Sequence, residues 1–434
     1  MSTIDSLYPL FLNHPHISTD TRNITPGALF FALKGDNFDA NAFAEHALAN
    51  GAAYAVIDNP DYQINERCIL VPDVLTALQD LARHHRKQLD IPVIGLTGTN
   101  GKTTTKELIN AVLSERYKTF ATRGNLNNHI GVPLSVLSIT AETEVAVIEM
   151  GANHQKEIEF LCGIAQPTHG LITNVGMAHL EGFGGFEGVK KGKAELYAYL
   201  KQHMGYAFID HNNSYLLEMS TAAGMEKILY YGTNPADFVS AELLQSDPFI
   251  ELSWKSPDLE PHTISTNLTG AYNFENILAA IALGHFFEVP PASISKGLSE
   301  YLPKNNRSQL TKTETNSVIC DFYNANPSSM SAALKNIALL SAPHKTIIIG
   351  DMFELGEESE VQHDLIANEA AALQVDTLIL IGKYFYTVKD KYDGHFFNTR
   401  AEAEAYLAAN PVKNSLVLLK GSRGMALEKL LPLL

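Results

Sequence analysis

Residues 93–109 read VIGLTGTNGKTTTKELI: an apolar run, a tight polar turn, then the start of a helix. The turn carries Gly98, Thr99, Asn100, Gly101 and Lys102. A strand that feeds glycines into a helix N-terminus aims backbone N–H groups and the helix dipole at an anion. Lys102 can reach the outer phosphates of a nucleotide, and Thr103 can hand its hydroxyl to Mg2+, while Thr104 carries the helix onward. The common phosphate-binding loop has a further glycine five residues before its Gly-Lys pair. Here that position is Leu96 and the nearer glycine is Gly98, so the loop is short. An ordinary turn between strand and helix is the plain alternative, but the strand before and the helix after favour a phosphate site.

A nucleotide-bound Mg2+ needs hard ligands. Glu149 ends the apolar run VAVIEM just before Gly151. His179 follows another apolar run in LITNVGMAHLEGFGG. Imidazole is an unusual Mg2+ ligand, and a lone histidine or glutamate is more often structural than ligating. Their common position, at the same edge of one sheet as the loop, makes the pair candidates together. No Ser-His-Asp or Cys-His set presents itself for nucleophilic catalysis.

These residues must be held by elements that the sequence also indicates. The 434-residue chain is long for one hydrophobic core, so two or three domains are expected. Up to about Leu89, ALFFAL and AAYAVID read as strands, and DANAFAEHALANG and VLTALQDLARHHRKQL as helices. From Pro92 strands and helices alternate, which predicts an α/β fold with a mainly parallel sheet covered on both faces. Ligands of such sheets bind at the carboxyl ends of the strands, where TGTNGKTT, EMGAN and NVGMAH all fall. After the polar, turn-rich LPKNNRSQL a second series of strands and helices begins, so a boundary is expected near 300–306.

The formal net charge of −16 argues against nucleic acid and membrane surfaces as partners, while leaving room for a local basic pocket. Cys68, Cys162 and Cys320 are far apart, form no C-x-x-C pair, and suit a reducing cytosol as small buried hydrophobes. The opening MSTIDSLYPLFLNHPHIS has neither a basic start nor a sustained apolar run. No signal peptide or membrane span is expected, and the location is read as cytoplasmic.

The short GTNGKTT loop, the glutamate of EMGAN and the histidine of NVGMAHLEGFG together resemble the Mur ligase family. These are ATP-dependent amide-forming enzymes of peptidoglycan precursor synthesis, in which the shortened loop is the normal form. The resemblance runs over essentially the whole chain, through STDTRNITPGALFFALKGDNFDA, GNLNNHIGVPLSVL, GVKKGKAELY, LTGAYNFENILAA, DFYNANPSSM, GDMFELGEES and KGSRGM. It implies three domains: 1–89 for a UDP-sugar peptide, 90–303 a central parallel-sheet P-loop ATPase, and 304–434 a Rossmann-like domain. DFYNANPSSM is similar to the branch that adds D-alanyl-D-alanine to UDP-N-acetylmuramoyl-tripeptide. The NPR-type signature of the branch that adds the third amino acid is absent.

Residue by residue, the resemblance implies that Asn273 contacts adenine with help from Asn276. Arg307 and Asp321 would be offered to the phosphates and ribose. Lys193 matches a lysine that is carbamylated in several members, where the carbamate helps hold a second Mg2+; a solvated helix lysine beside Lys190 and Lys191 is the alternative. Asp20, Thr21 and Arg22, with Asn127 and Asn128, would meet the UDP-sugar peptide. His129 stands where an acidic residue is the family pattern. Asn324 and Asn326 would meet the dipeptide, although NANPSSM also reads as a turn and a helix N-cap. The ligands implied are ATP, one or two Mg2+ and the two small-molecule substrates, on a monomer. Substrates meeting between three domains predict an open unliganded form that closes. Folylpolyglutamate synthase shares the loop but not the N-terminal STDTR domain. A nucleotide switch or a kinase would have no use for DFYNANPSSM. Whether the tripeptide carries diaminopimelate or lysine is not legible.

Overall fold

The computed structural model describes residues 3–35, 37–304 and 306–434. Asp36 of the N-terminal motif and Asn305 of the LPKNNRSQL segment lie outside them. Three principal sheets account for the architecture.

The first is a parallel sheet in the order Ile17–Ser18, Leu29–Phe31, Tyr54–Ile57, Cys68–Leu70. The helix Val74–Lys87 leaves it, started by the Asp73 side chain, which accepts from the Thr76 N–H. The helix buries Leu78, Leu81 and Ala82. Two residues of its basic end, His85 and Arg86, are buried as well. Arg86 donates to the carbonyls of Ala165 (3.0 Å), Leu89 (2.7 Å) and Gln166 (3.2 Å), and a His85 ring nitrogen meets the Ile139 carbonyl at 2.9 Å. One apolar cluster therefore runs from Leu7 and Phe31 into Val136 and Leu161, joining the N-terminal and central layers.

The central sheet has nine strands. Their order is His262–Ser265, Glu251–Lys255, Val239–Gln245, Ile228–Gly232, Tyr206–Asp210, His169–Ile172, Val93–Thr97, Val145–Glu149, Thr119–Ala121. Pairing is parallel from Val239–Gln245 to Thr119–Ala121, as the alternating pattern predicts. The last two pairings at the other edge are antiparallel. The core strands are buried along their length, which is why they read as unbroken apolar runs. The helices Lys102–Leu113 and Phe274–Phe286 cover one face together, through Leu108, Val112, Ile277 and Ile281.

The third sheet has the order Gln309–Lys312, Ser317–Asp321, Leu416–Lys420, Lys345–Gly350, Thr377–Ile381, His395–Phe397, parallel except for its first pair. Among the described residues no helix is long and apolar enough to cross a membrane.

Candidate active site

Sheet register assembles the site. Leu96 pairs with Glu149, and Thr97 with Ile172, so the loop after Thr97, the carboxylate of Glu149 and the chain leading to His179 leave the sheet at one level. Gly98 has φ +148°, and a Cβ there would lie 2.0 Å from Thr173 Oγ1. Gly101 has φ +78°, and a Cβ there would lie 2.6 Å from Asn276 Oδ1. Both glycines are thus required by conformation and by close approach.

A cleft of about 1010 Å3 opens at this level, between the central and C-terminal sheets. Thr99, Asn100, Gly101, Lys102, Thr104, Asn127, Asn128, Glu149 and His179 line it from the central side, with Asn273 and Asn276. Arg307, Asp321, Asn324 and Asn326 line it from the C-terminal side. Gly98, Thr103 and Lys193 stand behind that first layer.

Lys102 Nζ folds over its own loop and donates to the carbonyls of Gly98 (2.7 Å) and Thr99 (2.9 Å). Burial lowers its pKa to about 8; Glu149 opposes that shift and Arg307 adds to it. Glu149 is 1 % exposed. Its carboxylate accepts from Thr103 Oγ1 (3.0 Å) and Asn127 Nδ2 (2.8 Å). A hydroxyl and a carboxylate are the hard oxygen donors that suit Mg2+, which keeps several waters and leans on phosphates for the rest. Among the described residues no group of three or more His, Cys, Asp or Glu side chains is placed to hold a metal. Glu149 and His179 both line the cleft, and His179 also reaches the C-terminal side, with Nδ1 2.5 Å from Glu354 Oε2. His179 and Glu354 adopt left-handed backbone, at φ +51° and +63°. The His179 contact holds the Glu354 carboxyl below its usual range.

Lys193 is 2 % exposed, on the helix Phe186–Gln202. Nζ lies 3.4 Å from the Ala152 carbonyl and 5.1 Å from the Phe183 ring centroid. Burial, with Lys102 nearby, lowers its pKa to about 7. It is not the solvated lysine of the alternative reading.

Asn276 ties the loop helix to the next covering helix. Its Oδ1 accepts from Thr105 Oγ1 (2.9 Å), and its Nδ2 donates to Asn273 Oδ1 (2.8 Å). Arg307 stacks its guanidinium 3.9 Å from the Tyr323 ring centroid, and its Nε is buried with no hydrogen-bond partner. An unpaired buried donor beside a lysine and a glycine cradle fits a phosphate ligand. Asp321 is paired with Lys420 Nζ at 2.7 Å and accepts from the Ser308 N–H at 3.2 Å.

Some residues expected at the site have structural duties. Asn128 Oδ1 accepts from the Gly131 N–H (2.8 Å) at the start of the helix Gly131–Leu137. Asn326 caps the helix Pro327–Leu339 in a reciprocal box with Ser329, and still reaches Asn100 across the cleft. Asn324 faces the cleft, with its carbonyl 3.3 Å from Lys420 Nζ. Asp20, Thr21 and Arg22 are not brought to the cleft. Asp20 caps the turn Thr21–Asn23 and pairs with Arg22 at 2.6 Å on the exposed face of the N-terminal domain.

The sequence reading missed Lys420, Ser328, Tyr272, Asn174 and Glu354. Lys420 and Glu354 stand in the KGSRGM and GDMFELGEES segments, and Lys420 ends a buried strand, a signal of the kind that singled out Glu149. Tyr272 OH meets Ser308 Oγ at 2.6 Å, a further bond between the central and C-terminal parts. Complementary amide and hydroxyl groups line both walls and join without an intermediary.

Comparison with known proteins agrees with this geometry. Residues 15–86 match the Mur ligase family catalytic domain, 96–284 the Mur ligase middle domain, and 306–423 the Mur ligase glutamate ligase domain. A UDP-N-acetylmuramoyl-tripeptide--D-alanyl-D-alanine ligase of Bacillus subtilis is 36 % identical over 95 % of this chain and 92 % of its own. A crystal structure of MurF from Acinetobacter baumannii superposes with a TM-score of 0.87 at 33 % identity, covering 96 % of this chain and 92 % of that one. MurF ligase from Thermotoga maritima, in complex with ADP, superposes at 0.84 with 25 % identity, covering 97 % of each chain. The chain belongs to the Mur ligase family, in its MurF branch.

Proposed function

We propose that this ATP-dependent ligase joins D-alanyl-D-alanine to UDP-N-acetylmuramoyl-tripeptide, giving the pentapeptide precursor of peptidoglycan with ADP and phosphate. The observation that carries the reading is one cleft in which the nucleotide loop and the NANPSSM helix start face each other, with Asn100 and Asn326 2.8 Å apart. The tripeptide's terminal carboxylate oxygen attacks the γ-phosphorus and ADP leaves. The dipeptide amine, having lost a proton, then attacks the acyl carbon and phosphate leaves. Such transfer needs positioning and charge neutralisation more than a protein nucleophile.

In this reading Lys102 and Arg307 neutralise phosphate charge, and Thr103 with Glu149 would hold Mg2+, which when bound would offset charge on the transferred group. Asn273 and Asn276 border the adenine, and Asp321 the ribose. Asn127 and Asn128 face the tripeptide, and Asn324 and Asn326 the dipeptide. Asp20, Thr21 and Arg22 serve the UDP end of the substrate, away from the reacting atoms. Lys193, whose burial favours the neutral amine, would add CO2 at Nζ and release a proton, leaving a carbamate that with His179 would hold a second Mg2+. Working domains of 1–89, 90–303 and 304–434, a monomer and a cytoplasmic location complete the proposal. The test is product mass. Incubation with ATP, Mg2+, UDP-N-acetylmuramoyl-tripeptide and D-alanyl-D-alanine yields a UDP-pentapeptide; a product extended by a single amino acid instead would refute the dipeptide assignment.

A further inference from the structure

Asn100 sits at the tip of the nucleotide loop, and its backbone is held from both sides. Its N–H donates to Asn174 Oδ1 (2.9 Å), and its carbonyl accepts from Thr173 Oγ1 (2.6 Å) and Asn174 Nδ2 (3.1 Å). The backbone is thus fixed, and the side chain points out of its own domain. Asn100 Nδ2 donates to Ser328 Oγ (3.0 Å), Ser328 Oγ donates to Asn326 Oδ1 (2.9 Å), and Asn326 Nδ2 donates to Asn100 Oδ1 (2.8 Å). The three side chains form a closed ring in which each donates once to the next. Bonds running in one direction round a ring polarise one another, so removing one weakens the others.

The approach that allows the ring is close. A Cβ at Gly176 would lie 2.6 Å from Ser328 Oγ. The helix cap alone does not need Asn100, because Asn326 Oδ1 already accepts from the Ser329 N–H at 2.9 Å. What Asn100 adds is an acceptor for Asn326 Nδ2, which the cap does not use, so that the amide is held at both ends.

We propose that Asn100 is a positioning residue that links the nucleotide loop to the dipeptide pocket, by orienting Asn326 through the ring with Ser328. The inference rests on the ligase reading above. A nucleotide seated on this held loop favours the ring, and so presents Asn326 to the incoming dipeptide. By linkage the dipeptide must strengthen nucleotide binding by the same factor.

The test is steady-state kinetics on the full chain, with calorimetry of a non-hydrolysable ATP analogue at saturating UDP-N-acetylmuramoyl-tripeptide, with and without D-alanyl-D-alanine. Asn100→Ala and Ser328→Ala should each raise the dipeptide KM about tenfold, within the usual range of coupling between sites, and in Ser328→Ala, which leaves the nucleotide loop intact, the ATP KM should move less than about threefold. The double variant should be no worse than the poorer single one. Ser328→Thr, which keeps the hydroxyl, should stay near wild type. The dipeptide-induced gain in analogue affinity should vanish in Asn100→Ala. A wild type that requires dipeptide, with variants whose dipeptide KM is unchanged or whose effects simply add, overturns the relay and leaves the ligase reading standing. A wild type that turns over without any dipeptide overturns both.

Discussion

Lys420 and Asp321 are register partners at the ends of adjacent strands, and their pair tests how the C-terminal wall of the cleft is built. The perturbation is Lys420→Met, which keeps the length of the side chain and removes the charge. The Lys420 side chain is 2 % exposed and that of Asp321 15 %, with Nζ and Oδ2 2.7 Å apart. Breaking a buried pair from one side costs ~3–5 kcal/mol, because the partner charge stays behind. The Ser308 N–H still donates to Asp321 (3.2 Å), which draws the carboxylate cost to the low end. The Asn324 carbonyl loses its ammonium donor at 3.3 Å, a charge-assisted but long bond that adds little beyond the breaking of the pair. A loss of ~3–4 kcal/mol follows. Replacing both charges, in Lys420→Met with Asp321→Leu, should return stability to within ~1 kcal/mol of wild type, since apolar replacement of a whole buried pair is often near neutral. Hydrogen exchange in the strand Leu416–Lys420, read beside urea unfolding, reports the local loss directly. A single variant that costs under ~1 kcal/mol, or a double variant no better than the sum of its parts, would refute the claim that this pair is a buried charge couple.

Three further outcomes are expected. Thr103→Val removes the hydroxyl facing Glu149 with little change of shape, so kcat should fall about a hundredfold and the Mg2+ requirement should rise; a variant with wild-type Mg2+ dependence would remove Thr103 from the metal site. Lys193 titrates at about 7, so its neutral amine grows as pH rises from 6 to 8. With 13C-bicarbonate a carbamate NMR signal should strengthen over that range, and activity in CO2-depleted buffer should recover on adding bicarbonate; no signal and no dependence would leave Lys193 an amine. Gly98→Ala puts a Cβ 2.0 Å from Thr173 Oγ1 at φ +148°, so ATP binding should be lost in calorimetry; retained affinity would mean the loop can move aside.

The site's central half was legible because its signals are local. An apolar run that stops at Glu149 or at Thr97 marks a strand end, and strand ends of one parallel sheet share an edge. The antiparallel edge, Val239–Gln245 to His262–Ser265, was not anticipated. Val239–Gln245 is buried only over its first three residues and exposed over the rest, so it carries no apolar run. The partners of the named residues were also out of reach. Glu354 meets His179 from 175 positions away in the chain (354 − 179), and Asn326 meets Asn100 from 226. No spacing rule joins such pairs; docking of one domain on another does. The caps were the opposite case. The Asn-Pro-Ser-Ser run of Asn326–Ser329 announced a helix start, and the capping box is there, yet the cap did not exclude a place in the cleft.

The central claim is that nucleotide and dipeptide are used together in one cleft. The most direct measurement is ATP-dependent phosphate release with UDP-N-acetylmuramoyl-tripeptide, with and without D-alanyl-D-alanine. Release that requires the dipeptide is the predicted result. Release that proceeds equally with no amine present would contradict it.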